Sequence, residues 1–287
     1  MRKIVQTTVV ASALLACVHA AWAVDTMPGD AMAPPVGTTL AGIYYINNTL
    51  SELYSGGKLV DGLKANVDVG VLRVMRPMKL GDYQVNPQFA LPFGRVAGDG
   101  ALSSVQHTSG LGDLSVSASV MLKQDPATRT SVYVMPSFTL PTGVYDKNKL
   151  NLSNNRHSTT IQLGGQTALN KLWTVDGYAD ATWYGSNKEN LGGTLDKAVN
   201  YKVQSYLRYA LSGTSELAAG FRYNNGGATK VAGVTQNDAV NKTTLLIGGS
   251  SWVAPGLLLN AYLGRDTSVN NGFKASSIVE LRLAKVF

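Results

Sequence analysis

Two histidines of the chain lie next to serines, the pairing on which serine hydrolases depend. His107 precedes Ser109 by two positions, and His157 directly precedes Ser158. A neighbouring histidine can act as the base that makes a serine hydroxyl nucleophilic, and some lipid-modifying enzymes use this chemistry. Both pairs fall in or beside polar connecting stretches, where a histidine is usually a solvated loop residue. We therefore predict no catalytic residue, no metal site and no cofactor.

A second group of polar residues recurs at alternate positions of segments rich in apolar and aromatic residues. Both signs of charge are present, so the group could form a selective polar path for a solute or a salt-bridged interior that keeps the fold rigid. Its tyrosines could stack on an aromatic molecule. We predict that these residues face the interior of the fold and line its lumen. They are Lys64, Asp68, Tyr133, Asp176, Tyr178, Asp180, Lys202, Tyr206, Arg208, Arg222, Glu280 and Arg282.

The segment from Trp173 to Trp183 indicates which element carries these residues. Its odd positions are apolar or small with a tryptophan at each end, and its even positions are mostly polar, which is the period of a strand with two unlike faces. Such a strand, tilted by about 40°, rises roughly 25 Å, the height of the apolar band on an outer-membrane barrel. Aromatic residues prefer the edges of that band. We predict a membrane-interface girdle of Trp173, Trp183, Tyr201, Tyr209 and Phe287.

Alternation of this kind predicts about twelve strands. Long or polar connections follow the odd-numbered strands, the last of them from Thr267 to Lys274, and short turns follow the even-numbered ones. Loops sorted by length onto opposite ends are typical of outer-membrane barrels. We predict an all-β fold, a transmembrane antiparallel β-barrel, with strands near residues 38–55, 63–76, 82–94, 112–123, 129–141, 157–170, 172–185, 199–211, 216–224, 243–253, 256–266 and 275–287.

Composition agrees with a lipid-facing barrel. Charged residues make up 15% of the chain, against about 25% in a typical soluble protein. Beyond the N-terminal 23 residues, the chain has no apolar run of the length that a transmembrane helix needs. The net charge is +7, but lysine and arginine are scattered, which argues against nucleic acid as a partner and favours contact with anionic lipid headgroups.

Both ends of the chain carry expected signals. Residues 1–23 have the basic start, the short apolar run and the Ala21-Trp22-Ala23 site of a cleaved signal peptide. A lipoprotein signal with Cys17 as the acceptor is the alternative. At the other end, the terminal aromatic Phe287 closes an alternating strand, as in the sorting signal that the barrel-assembly machinery binds.

The proline-rich stretch between the signal peptide and the first strand is a separate region of the chain. Residues 24–37 contain Pro28, Pro34 and Pro35 and lack alternation, so neither a strand nor a helix is predicted. We expect either a periplasmic N-terminal segment or a plug inside the barrel. Residues 38–287 are then the outer-membrane β-barrel.

Short motifs keep a fixed order along the chain. They are Leu91-Pro92-Phe93-Gly94, Gly110-Leu111-Gly112-Asp113-Leu114, Leu140-Pro141-Thr142-Gly143-Val144-Tyr145-Asp146, Leu150-Asn151-Leu152, Tyr184-Gly185-Ser186-Asn187, Gly264-Arg265-Asp266 and the terminal Val286-Phe287. In this order they resemble the family named for a meta-pathway of phenol degradation, whose members are predicted outer-membrane transporters. The resemblance covers nearly all of the chain after the signal peptide.

The resemblance and the strand pattern together imply a function. We expect a channel in the outer membrane of a Gram-negative bacterium for passive uptake of small hydrophobic or aromatic compounds, with outer-membrane lipids and the solute as partners. Two alternatives remain: an outer-membrane lipid-modifying enzyme, and a structural or adhesive barrel with a closed lumen.

Overall fold

The computed structural model describes residues 25–287. The predicted signal peptide and Val24 lie outside the described residues. Among the described residues, no helix is long and apolar enough to cross a membrane.

The fold is a closed antiparallel barrel of 12 strands, which confirms the predicted fold class. Each strand pairs with its sequence neighbours, and the last strand pairs with the first over Leu40–Val286 to Tyr54–Gly272. Closure leaves the barrel sheet without a free edge. The strands are β1 (Leu40–Ser55), β2 (Leu63–Met75), β3 (Tyr83–Gly100), β4 (Leu114–Asp125), β5 (Thr130–Leu140), β6 (Ser158–Ala168), β7 (Trp173–Tyr184), β8 (Asn200–Ala210), β9 (Ser215–Gly226), β10 (Val240–Ala254), β11 (Leu257–Val269) and β12 (Gly272–Val286).

The connections differ in length at the two ends of the barrel. The short-turn end carries both barrel termini and the turns that follow even-numbered strands, and one of these turns holds the short strand Met78–Leu80. At the long-loop end, Lys58–Val60 pairs antiparallel with the end of β1, and Ser109–Leu111 pairs with β3. A separate small sheet joins Leu195–Lys197, Thr229–Val231 and Val234–Thr235 at this end. One expected long loop is wrong: β11 and β12 extend further than predicted, and a turn at Asn270 and Asn271 joins them.

The side chains alternate between a lipid-like outside and a polar inside. In β7, Trp173, Ala179 and Trp183 are exposed on the outer face, whereas Asp176 and Asp180 are buried. Many exposed outer residues of the other strands are also apolar, which is the pattern of a surface that is surrounded by lipid rather than water. They include Ile43, Leu72, Phe138, Leu163, Val203, Leu207, Phe221, Ile247, Leu263 and Leu281.

The hydrogen-bond ladder of the wall is interrupted between β4 and β5. Their pairing reaches Ser117–Ser137 and resumes in the same register at Val120–Val134, and the register shifts once, between Met121 and Lys123. Pro136 lies in the gap, and proline has no backbone N–H to donate to a neighbouring strand. The interruption therefore accommodates a proline within a strand of the closed wall.

Candidate functional site

The N-terminal segment (residues 25–36) lies inside the barrel before the chain enters β1. Met27 and Ala31 are almost completely buried, at 1% and 0% exposure. The segment leaves the lumen at the short-turn end, where the Gly37 N–H donates to the Pro77 carbonyl oxygen at 2.9 Å. Of the two expected arrangements for residues 24–37, the described part takes a position within the lumen.

Asp25 joins a cluster of alternating charges at the level reached by the start of the segment. Its carboxylate accepts a hydrogen bond from Lys202 Nζ at 2.5 Å and lies 3.2 Å from Arg222 Nη1. Arg222 also donates to Glu280 at 2.8 Å, and Lys202 Nζ lies 3.8 Å from Asp180. Each buried charge therefore has an opposite charge beside it, which offsets the cost of its desolvation.

Asp30 forms the second ionic contact between the segment and the wall. The Arg282 guanidinium donates to its carboxylate, and Arg73 Nη1 lies 3.3 Å from the same carboxylate. Each arginine has a further partner on the wall: Arg282 Nε donates to Asn260 at 2.8 Å, and Arg73 Nη1 donates to the Tyr44 hydroxyl at 3.1 Å. One carboxylate of the segment thus forms ion pairs with two arginines of the barrel.

Between these contacts, the backbone of the segment binds Asp176. The Gly29 N–H donates to the Asp176 carboxylate at 2.8 Å. Arg208 donates to Asp176 at 3.1 Å, to Glu216 at 2.9 Å and to Gln166 at 2.9 Å. Gly29 has a φ of 88°, a left-handed conformation that glycine adopts without strain. The turn that presents this N–H to the wall therefore favours glycine.

Three tyrosines form a row of rings beside the segment. The ring centroids of Tyr133 and Tyr178 are 6.5 Å apart, and those of Tyr178 and Tyr206 are 6.2 Å apart. A Cβ on Gly164 would lie 2.5 Å from the Tyr133 ring, so glycine provides the space for this ring. The Tyr206 hydroxyl donates to the Thr26 carbonyl oxygen at 3.2 Å. The three rings therefore contact one another, and Tyr206 contacts the segment, while Tyr133 also lines the short-turn end of the lumen.

Most of the predicted lumen residues are brought together around the segment. They point to the interior and take part in the clusters above, and they are Tyr133, Asp176, Tyr178, Asp180, Lys202, Tyr206, Arg208, Arg222, Glu280 and Arg282.

For Lys64 and Asp68 the predicted orientation is wrong. Lys64 is exposed, and Asp68 lies on the outer face, where its carboxylate accepts a hydrogen bond from the exposed Tyr45 at 3.3 Å and lies 3.7 Å from Arg95. Alternation separates two faces of a strand but does not say which face meets lipid. Both residues lie in the half of β2 nearer the long loops, and the inner face there is Leu63, Ala65, Val67, Val69 and Val71.

The predicted girdle residues lie on the outer surface at the two ends of the barrel. Trp173 packs on Tyr209 at the short-turn end, with ring centroids 4.8 Å apart. Trp183 and Tyr201 are 46% and 55% exposed at the long-loop end. Phe287 follows β12 at the short-turn end and is 72% exposed. Two such belts are the usual position of aromatic residues at the membrane interfaces.

Two cavities occupy the lumen, and the N-terminal segment lines both. The long-loop cavity, of about 260 Å³, is lined by residues at that end of the barrel, including Leu152, Tyr184 and Lys197. The short-turn cavity, of about 660 Å³, reaches Gly213 and Gly256 in the turns of the other end. Met135, Ser137 and Gln162 line both cavities. The segment therefore lies where a path between the two ends of the barrel would pass.

Several residues that hold the segment were missed in the sequence. Ser131 donates to the Ala31 carbonyl oxygen at 2.8 Å, Gln84 donates to that of Pro34 at 2.8 Å, and Gln124 binds both backbone polar groups of Ala33. Strand parity already puts Ser131 on the face of Tyr133. For Gln84 and Gln124 the sequence offers no signal beyond their polarity, because both lie near strand ends.

The residues that could carry other chemistry are dispersed. His107 and His157 are exposed, and no serine of the described residues forms a hydrogen bond with either. Within residues 25–287, no cluster of three or more histidine, cysteine or acidic side chains could hold a metal ion.

A family model described as "Putative MetA-pathway of phenol degradation" matches residues 53–283. The chain belongs to this family. The matched range begins within β1 and ends within β12, so it covers most of the barrel and confirms the resemblance that the motifs gave. A comparison with curated protein sequences gives no match.

Solved structures place this member of the phenol-degradation family in the outer membrane. The crystal structure of an outer membrane channel from Pseudomonas putida F1 is similar with a TM-score of 0.87 and 32% identity, covering 92% of this chain and 100% of that chain. The translocator domain of the autotransporter NalP from Neisseria meningitidis has a TM-score of 0.52 at 12% identity over 88% and 89% of the two chains, which shows the fold alone. The protein is an outer-membrane β-barrel of a Gram-negative bacterium, and its apolar outer face contacts lipid.

Proposed function

We propose that the protein is a passive outer-membrane channel for uptake of small hydrophobic or aromatic compounds. The observation that carries this proposal is the pair of cavities, one at each end of the lumen, with the N-terminal segment beside both. The similar protein from Pseudomonas putida F1 is an outer membrane channel, and the family is described by a pathway of phenol degradation. Narrow lumens are expected for barrels between the filled eight-stranded and the water-filled sixteen-stranded types.

The proposed path runs from the extracellular long loops to the periplasmic short turns. A solute enters the long-loop cavity, passes the N-terminal segment at Met135, Ser137 and Gln162, and reaches the short-turn cavity. The segment acts as a plug that must shift for the solute to pass. The segment is one short piece of chain held mainly by side-chain contacts, whereas each strand is hydrogen-bonded to two neighbouring strands. Displacement of the segment therefore costs less free energy than displacement of a strand.

We also propose that the protein performs no catalysis, because each histidine is exposed and lacks a bonded serine among the described residues. Assembly is proposed to use the barrel-assembly machinery, with Phe287 at the end of β12 as part of the signal. These two proposals leave the lumen as the functional part of the molecule.

Uptake of phenol by intact cells tests the function. Initial uptake rates at low phenol concentration are compared between cells whose outer membrane contains the protein and cells that lack it, with raffinose as a solute too large for the narrow lumen. We expect faster phenol uptake and unchanged raffinose uptake when the protein is present. Equal phenol uptake in the two strains would leave a structural or adhesive barrel as the better description.

A further inference from the structure

We propose that the long-loop cavity binds a small aromatic carboxylate, with the carboxylate at Lys197 and the ring against the apolar wall on the opposite side of the lumen. This inference rests on the proposed function, because it names a class of solute that the channel would select.

Lys197 differs from the other cations that line the long-loop cavity. Lys202 Nζ lies 2.5 Å from Asp25, Arg222 lies 3.2 Å from Asp25, and Lys242 Nζ lies 3.2 Å from Asp266. Among the described residues, no carboxylate accepts a hydrogen bond from Lys197. Its ammonium group instead lies over the Tyr184 ring, 4.5 Å from the centroid. A cation in this position is available to an incoming anion.

A second cation strengthens the positive potential at this corner. Arg156 is 2% exposed, and its three guanidinium nitrogens are buried without a hydrogen-bond partner among the described residues. Its Cζ lies 5.7 Å from the centroid of the same Tyr184 ring. Two cations against one ring, in a partly buried place, attract an anion more strongly than they would in water.

The acidic side chains near this corner are engaged elsewhere. The charge of Asp238 acts on Lys197, but its carboxylate accepts two hydrogen bonds from Thr229, both at 2.7 Å. Asp113, which also lines the cavity, accepts hydrogen bonds from Ser153 Oγ and from the backbone of Asn154 at 2.6 and 2.8 Å. Neutral donors thus occupy these two carboxylates, and direct contact of an anion with the Lys197 ammonium is left to a ligand carboxylate.

The opposite side of the same cavity is apolar. It is formed by side chains of β1, β2 and β12, which lie across the ring of strands from Lys197, and its members are Ile46, Val67, Val71, Phe273 and Ile278. An engineered cavity of roughly 150 Å³ holds benzene, so about 260 Å³ admits a single aromatic ring with a small substituent. A cationic corner that faces an apolar wall suits a molecule with a carboxylate at one end and a ring at the other.

The protonation of Lys197 agrees with this geometry. Burial lowers the pKa of the Lys197 ammonium to about 7, and the charge of Arg156 acts in the same direction. A bound carboxylate would oppose both effects and favour the protonated form. The protonated form of Lys197 is therefore more stable when a carboxylate is bound than when the cavity is empty.

Fluorine NMR of the purified full-length protein tests the site with two probes of nearly equal shape, para-fluorobenzoate and para-fluorobenzamide. We expect wild type to bind the carboxylate more tightly than the amide. Lys197→Met should weaken carboxylate binding by about tenfold or more, as for loss of a hydrogen bond between charged groups, and should leave amide binding unchanged. Lys197→Arg should restore the preference. Lys230→Met is the matched control, because Lys230 is exposed on the adjacent strand of the same small sheet.

Equal affinity of wild type for the two probes, or equal effects of Lys197→Met and Lys230→Met, would overturn the site. Heat-modifiable mobility on gels verifies that each variant is folded, and the comparison of carboxylate with amide binding in wild type keeps the proposal refutable if the methionine variant does not fold. Phenol uptake separates the two proposals. Carboxylate binding that depends on Lys197, without phenol uptake, would support the carboxylate site and refute the channel function. Phenol uptake without Lys197-dependent binding would support the channel function and refute the carboxylate site.

Discussion

Asp30→Asn is the smallest change that should release the N-terminal segment from the lumen. The Asp30 carboxylate lies against Arg73 and Arg282, with only 10% of its side chain exposed. Asparagine keeps the size of the side chain but removes the charge that both arginines share. Breaking a buried ion pair by removing one partner costs about 3–5 kcal/mol.

This loss should be large compared with the net free energy that keeps the segment inside the lumen. Ordering a piece of chain of this length costs on the order of 10–20 kcal/mol, while each hydrogen bond to the wall contributes only about 1 kcal/mol. Burial of Met27 and the ion pairs of Asp25 and Asp30 have to supply the rest. A loss of about 3–5 kcal/mol corresponds to a change of roughly two to three and a half powers of ten in the seated-to-released ratio.

Single-channel recordings in planar bilayers measure the outcome. Deletion of residues 25–36 defines the conductance of the unplugged barrel, and Asp30→Asn should reach that level for a much larger share of the time than wild type. Asp61→Asn is the control, because Asp61 is exposed in a long-loop-end connection and its carboxylate accepts a hydrogen bond from the adjacent Gly62. If the deletion raises conductance and Asp30→Asn behaves as wild type, the ion pairs do not hold the segment. An unchanged conductance after the deletion would refute the plug itself.

Three further outcomes are expected. Ala179→Arg puts a charge on the exposed outer face of β7 and should destabilise the barrel by about 2–4 kcal/mol in urea titrations in bilayers; His157→Arg, beyond the strand end, should change stability little, and equal effects would contradict the lipid-facing assignment. Deletion of Phe287 should slow assembly, seen as a smaller fraction of the folded, heat-modifiable band in outer-membrane preparations, whereas an unaltered band would exclude the residue from the assembly signal. Binding of para-fluorobenzoate should be strongest below pH 7 and fall as the pH rises through the pKa of Lys197, which burial lowers to about 7. The reason is that the carboxylate binds the protonated lysine, whose charged neighbours are Arg156 and Asp238. A flat pH profile, or one unchanged in Lys197→Arg, would exclude lysine titration as the cause.

The strands could be predicted because lipid and lumen impose opposite polarity on alternate residues. In β8, Tyr201 and Val203 face outwards and Tyr206 and Arg208 face inwards, as the alternation indicates. In β2 the same alternation was assigned to the wrong faces. Arg73 shares the face of the valines, and a lipid-facing arginine within the bilayer is costly. This residue could have corrected the orientation.

The position of the N-terminal segment could not be derived from the sequence. Its prolines exclude regular structure but do not specify where an irregular chain lies. Its location depends on contacts between residues far apart in the chain, such as Asp30 with Arg73 and Arg282. Lys197 escaped notice for a similar reason, because a lysine in a long loop has no pattern that separates it from its solvated neighbours.

The gap between β4 and β5 interrupts the pairing at one point of the barrel wall, whereas the pairing of β1 with β12 extends from Leu40–Val286 to Tyr54–Gly272. Met135 and Ser137, on either side of Pro136, line the short-turn cavity, so this cavity lies directly behind the gap. Amide protons next to the gap should exchange with solvent deuterium earlier than those of the long β1–β12 pairing. When heat or detergent loosens the barrel, we expect the wall to unzip at β4 and β5 and not at the pairing that closes the ring.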